Sequence, residues 1–177
     1  MGLAALATLA MHGALWITMK TDEGLQARCR RTALRLWWVV VVLMALVTLA
    51  TLHVQPHVWE RLHAAPWGTV LPLLAVSALG LVRWFCLKRC DVLAFVASAG
   101  FLGATLVTVA FSVFPYVLPA STDPALGLTL EHAAAEPYAL KVGLAWWIPG
   151  MILVTAYFFF VYRQFAGKVQ LDEEGHY

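Results

Sequence analysis

Few side chains in this sequence are equipped for chemistry, and the foremost is His12, an imidazole set well inside an apolar run. An ionisable group in such a place is costly enough to require a partner. It could serve as a haem ligand, as a member of a proton relay, or as a neutral imidazole hydrogen-bonded to a neighbouring helix. The last reading is favoured, because a membrane haem held by two histidines needs a second one at matching depth. His53, His57, His63 and His132 instead fall at or beyond one interface, and His176 lies near the end of the chain. His53 and His57 are spaced i, i+4 with His63 close behind, a spacing that would suit a weak metal site. Cys86 and Cys90 share that spacing, yet neither they nor Cys29 match a paired zinc or iron–sulfur pattern. The run Tyr157-Phe158-Phe159-Phe160 could line a quinone tail, although lipid contact and helix packing account for it more simply. A glycine-rich phosphate loop, a nucleophile elbow and a pair of intramembrane carboxylates are all missing, which argues against an enzyme acting alone.

The elements that must position these groups follow from composition. The chain has 177 residues, 62% hydrophobic and only 12% charged, with a mean hydropathy of +0.77. A small core cannot hide that much apolar surface, so a water-soluble globule is excluded. Apolar stretches at about 2–19, 36–52, 67–86, 92–116 and 140–162 are each close to the roughly 20 residues that cross a hydrocarbon core. In lipid each must be a helix, since only a helix satisfies its own backbone polar groups. The expected fold is an all-α integral membrane protein, a single antiparallel bundle of five transmembrane helices over 1–177.

Charge orients that bundle. Lys20, Arg28, Arg30, Arg31 and Arg35 follow the first span, Arg83, Lys88 and Arg89 lie at the end of the third, and Arg163 and Lys168 follow the fifth. These ends are expected in the cytoplasm, with residues 166–177 as a cytoplasmic tail. The other ends carry Arg61 and Lys141 against Glu60, Asp123, Glu131 and Glu136, which puts the N-terminus and two connections outside. The net charge of +2 is spent on topology and points to no nucleic acid; membrane lipid is the surrounding partner. Met1 leads at once into a span with no charged region before it, so the chain is expected to be the C-terminal part of a longer polypeptide.

Local signals refine the elements. Thr21-Asp22-Glu23 offers a cap and an acidic first turn for the second helix. The three residues Arg89-Cys90-Asp91 force spans three and four to be antiparallel neighbours. Gly100, Ala104, Thr108 and Ser112 form one small-residue face on span four, and Ala4, Thr8 and His12 another on span one. Pro149 frees the carbonyl of Ala145 and favours a kink in span five.

The most specific pattern runs from Phe114 onward. It comprises Phe114-Pro115 with Pro119 and Ser121, Asp123-Pro124-Ala125 with Leu128-Thr129, and Pro137-Tyr138 with Leu140-Lys141. It ends in Val161-Tyr162-Arg163 with Phe165 and Gly167-Lys168-Val169. Together with His12-Gly13-Ala14-Leu15 and the turn Lys20-Thr21-Asp22-Glu23-Gly24-Leu25, it resembles the C-terminal half of subunit II of the cytochrome bd-type quinol oxidases. Ala120 and Glu136 stand where serine is commoner in that family. The resemblance implies a respiratory terminal oxidase of the bacterial cytoplasmic (inner) membrane that passes electrons from quinol to dioxygen and builds a proton gradient. It also implies that the haems, b and d, belong to a partner, subunit I, and that a small single-span subunit can join. This chain would bind no cofactor and would be a structural partner, not catalytic by itself. The residues it singles out are Pro115, Pro119, Ser121, Asp123 and Pro124 of the external element and Tyr162, Arg163, Gly167 and Lys168 of the ending. The alternative reading is a small transporter or permease-like bundle, with His12 and the Pro149 kink forming a polar path.

Overall fold

The computed structural model describes residues 1–55, 57–120, 126–165 and 167, and only the backbone of residues 23, 57, 59, 60 and 64. The described chain is mostly helical, and five of its helices are long and apolar enough to cross a membrane. These are Gly2–Lys20, Gly24–Val54, Pro66–Leu87, Asp91–Val113 and Pro137–Gln164. The protein is thus a multi-pass membrane protein. Two compact units are distinguished, Met1–Phe114 and Pro115–Gly167, and each is described by itself.

The first unit is built from α1 (Gly2–Lys20), α2 (Glu23–Val54), α3 (His57–Ala64), α4 (Val70–Leu87) and α5 (Asp91–Val113). Helix α1 stops at Thr21, whose extended backbone leads to Asp22, also extended, at the N-cap of α2. Asp22 occupies the expected position, but its side chain makes no capping hydrogen bond. The 32 residues of α2 rise roughly 48 Å at the helical pitch. That exceeds a hydrocarbon core of about 30 Å, as the basic first turns of this helix lead one to expect. Because α1 and α2 are joined by two residues and pack along each other, they run antiparallel; α4 and α5 do the same, and α1 also contacts α5. The core at this junction holds Met11 and Leu15 of α1, Val40 of α2, Leu79 and Val82 of α4, and Ala94 and Phe101 of α5.

A turn with a strained residue joins α4 to α5. The amide of Cys90 donates to the carbonyl of Phe85 (3.0 Å) and that of Arg89 to Cys86 (3.2 Å), the paired bonds of a Schellman motif. Arg89 holds the left-handed position, φ 58°, where glycine is the usual occupant because a Cβ is penalised there. At the opposite end, α3 and a 3-10 turn, Pro66–Thr69, bridge α2 and α4. Gly68 is buried in that turn, and a Cβ on it would run into the Phe111 ring of α5.

The second unit contains β1 (Tyr116–Leu118), β2 (Leu128–Thr129), α6 (Leu130–Ala133) and α7 (Pro137–Gln164). The strands pair antiparallel, Tyr116 opposite Thr129 and Leu118 opposite Leu128, with an irregularity between them. The amide of Leu130 also donates to the carbonyl of Pro115, 2.9 Å. The fourth span therefore ends at Val113, and Tyr116, expected within it, lies in a strand. Pro115 lacks an amide hydrogen and cannot extend the helical ladder. Helix α7 begins with Pro137 at a position that tolerates it and remains continuous through Pro149.

Candidate functional site

Two polar constellations lie within the first unit, and both join helices distant in sequence. The first is built on His12. Its position on α1 brings the ring against α5, where Nδ1 lies 2.7 Å from Ser98 Oγ. The Ser98 hydroxyl donates to the carbonyl of Phe95 at 2.7 Å, so its single hydrogen is spent. His12 Nδ1–H must therefore be the donor, and a neutral ring keeps Nε2 as its acceptor. One face of the imidazole stacks on Phe95, centroids 4.5 Å apart and planes 25° from parallel, with Trp16 at 5.1 Å from the same phenyl ring. Ser98 is buried, at 1% exposure. His12 is thus hydrogen-bonded to a neighbouring helix. Chemically this bond fixes a tautomer and leaves one lone pair available.

The second constellation ties α2 to α5 at the basic end. Both Asp91 oxygens receive the guanidinium of Arg30: Nη2 lies 2.8 Å from each, and Nε lies 3.2 Å from Oδ1. Gln26 Nε2 donates to Asp91 Oδ2 at 3.0 Å and also reaches the Thr18 carbonyl of α1 at 3.4 Å. The side chains of Arg30 and Asp91 are 15% and 14% exposed, so this forked pair is largely withdrawn from water. Sequence reading assigned Arg30 to topology alone and passed over Gln26, Asp91 and Ser98. Two signals pointed there: Gln26 and Arg30 are spaced i, i+4 and so share a face, and an acid opening an apolar helix requires a counter-charge.

Aromatic residues near the helix ends also make contacts across elements. Trp37 Nε1 donates to the Leu79 carbonyl at 2.7 Å, and the Arg83 guanidinium lies over both Trp37 (5.1 Å) and Trp38 (5.3 Å). At the other end, Arg61 covers Phe111 and Phe114 at 5.1 and 4.8 Å, and its buried Nε has no hydrogen-bond partner among the described residues.

The residues singled out by family resemblance fall in the second unit. Pro115 supplies the carbonyl that receives Leu130, Pro119 follows β1, and Tyr162 stacks on Phe158 at 6.1 Å in α7. Arg163 stands in the last turn of α7, and Gly167 has φ 99°, the left-handed conformation that favours glycine. Ser121, Asp123, Pro124 and Lys168 lie outside the described residues. His12 belongs to the first unit, Pro115 and Arg163 to the second. Among the described residues no three His, Cys, Asp or Glu side chains are grouped to hold a metal ion; the His57 side chain of the candidate external site is outside them.

Comparison with known proteins fits this architecture. The family model for cytochrome bd terminal oxidase subunit II matches residues 1–165, which run through all five apolar helices. The chain is 25% identical over 205 aligned positions to the "Probable cytochrome oxidase subunit 2" of Haemophilus influenzae, covering 99% of this chain and 54% of that protein. It is 30% identical over 132 positions to the "Cytochrome bd ubiquinol oxidase subunit 2" of Bacillus subtilis, covering 74% of this chain and 38% of that protein. The chain spans about half the length, or less, of these relatives.

Proposed function

This chain belongs to the cytochrome bd terminal oxidase subunit II family, and from that premise we propose that it serves a quinol:oxygen oxidoreductase as a structural, non-haem subunit. The observation that carries the reading is the family match across residues 1–165. The ubiquinol in the name of the Bacillus subtilis relative supports quinol as the substrate of the whole complex. The reaction assigned to that complex is reduction of dioxygen to water with generation of a proton gradient in the bacterial inner membrane.

The haems b and d are assigned to subunit I. Among the described residues His12 is the one imidazole within the packed interior, and its Nδ1 and one ring face are already engaged. No described pair of axial ligands is thus offered by this chain. Its own contribution is shape and fixed polarity: α1, α2 and α5 interlock through the two polar constellations, α4 is tied to α2 by the Trp37–Leu79 bond, and broad apolar faces are left for lipid, for subunit I and for a small single-span subunit. The Lys20 and Arg89 ends are assigned to the cytoplasm, a reading supported by Arg28, Arg30, Arg31, Arg35, Arg83 and Lys88 lying toward the same helix ends. The N-terminus and the β1–β2 connection are then outside. Pro115, Pro119, Ser121, Asp123 and Pro124 are assigned to the external contact with subunit I, and Tyr162, Arg163, Gly167 and Lys168 to the cytoplasmic boundary. Nothing in the fold or in the relatives favours a transporter.

The test is a reduced-minus-oxidised absorption spectrum of the complex recovered from source membranes through a tag placed after Tyr177. Haem b and d bands accompanied by a larger haem-bearing polypeptide are expected. A colourless preparation with no partner would overturn the assignment.

A further inference from the structure

Besides its two polar constellations, the first unit has a groove of about 270 Å³ between α2 and the end of α4. Arg30, Arg31 and Arg89 line it together with Leu34, Cys86 and Leu87. Arg30 is neutralised by Asp91. Arg31 spends its Nε on the Ala27 carbonyl, 3.3 Å away, which leaves its terminal nitrogens for another acceptor. Arg89 is exposed and projects from the left-handed turn position, where its Cα is held by the Cys90–Phe85 and Arg89–Cys86 bonds. Among the described residues no carboxylate is paired with Arg31 or Arg89, so the groove carries two guanidinium groups above an apolar floor, at the level where α4 ends.

The geometry points to a site for the headgroup of an anionic phospholipid. Guanidinium forks match phosphate oxygens in shape and charge. Basic pockets between helices at the cytoplasmic boundary attract anionic headgroups. A phosphodiester between Arg31 and Arg89 could continue into an acyl chain along Leu34 and Leu87, whereas a soluble anion has no use for that floor. This inference rests on the membrane placement of the helices and the cytoplasmic position of their basic end. It is independent of the oxidase assignment, because it predicts lipid retention whatever the spectrum shows.

The experiment is native mass spectrometry of the delipidated, tagged complex titrated with phosphatidylglycerol or phosphatidylcholine. The variants are Arg31→Gln, Arg89→Gly and their combination, with Lys88→Gln beside the groove as a control of equal charge for each single variant. Arg89→Gly suits the turn and is expected to fold with an undiminished melting midpoint; Arg31→Gln alone carries the test if it does not. Each single arginine variant is expected to bind phosphatidylglycerol about fivefold more weakly and the combined variant about thirtyfold; Lys88→Gln, outside the groove lining, is expected to lose less than either single variant, and phosphatidylcholine to be unaffected. Equal losses in the single arginine variants and the control would overturn the site, as would equal binding of the two lipids. Full displacement of phosphatidylglycerol by millimolar inorganic phosphate would show a free-anion site instead. Cross-linking of Arg89→Cys to another polypeptide rather than to lipid would show that protein covers the groove.

Discussion

His12 and Ser98 sit 86 positions apart and meet at one hydrogen bond, so their contribution can be isolated. Within a membrane such a bond contributes modestly, about 1 kcal/mol. A double-mutant cycle of His12→Phe and Ser98→Ala, read from thermal unfolding of the purified complex, should give a coupling energy of about that size. Zero coupling would mean that the contact does not stabilise the bundle. The Arg30–Asp91 pair is a different case, because both side chains are mostly withdrawn from water. Asp91→Asn should cost about 3 kcal/mol by leaving a guanidinium without its counter-charge. Adding Arg30→Met should recover much of that loss, and a double variant no more stable than Asp91→Asn would contradict the pairing. The reactive-looking residues were legible in the sequence, but their partners were not. Ser98 carries no mark that separates it from Ser77 or Ser112, and only the α1–α5 crossing selects it.

At the scale of elements, helix existence was legible and helix faces only in part: the Ala4, Thr8 and His12 face of α1 is packed inward, with Ala4 and Thr8 buried and His12 bonded to Ser98. Each span was marked by its apolar length, whereas the small-residue face of α5 was drawn through Gly100, Ala104, Thr108 and Ser112. The structure rotates the buried face toward Ala94, Ser98 and Phe101, and a Cβ built on Gly100 meets nothing within 4 Å. Small residues permit close approach without requiring it, so a stripe on an all-apolar helix cannot tell which side faces the chain's own neighbours. Ala104 still packs against the core. Ala104→Leu should therefore destabilise the first unit by about 1–3 kcal/mol through overpacking, measured as a lowered melting midpoint. Gly100→Leu should leave that midpoint unchanged and, where subunit I occupies this face, reduce recovery of the partner with the tagged chain. Helix α3 and the β1–β2 pair were missed for another reason. They are too short to give a periodic signal, and one turn of helix or two rungs of a ladder depend on what they rest against.

For the whole molecule, the basic end of the first unit also carries the three cysteines, with Cys29 half-buried, Cys86 buried and Cys90 exposed. A membrane-impermeant maleimide should therefore label Cys90 in inverted vesicles and not in intact spheroplasts, while Glu131→Cys should show the reverse. Labelling of Cys90 from outside would invert the proposed orientation. Sequence alone determined that this chain lives in lipid as apolar helices and that its charges collect at alternate ends. Both follow from the transfer of side chains between water and hydrocarbon, which is nearly a sum over residues. The specific motif from Phe114 to Val169 likewise carried the family, because identity is inherited residue by residue. Tertiary structure alone decided that Arg30 serves Asp91, that His12 finds Ser98, and that Arg31 and Arg89 come to share one groove. These pairings rest on how each helix is rotated about its axis. In spans apolar on nearly every face, hydrophobicity leaves that rotation open, and only the mutual fit of neighbouring helices sets it.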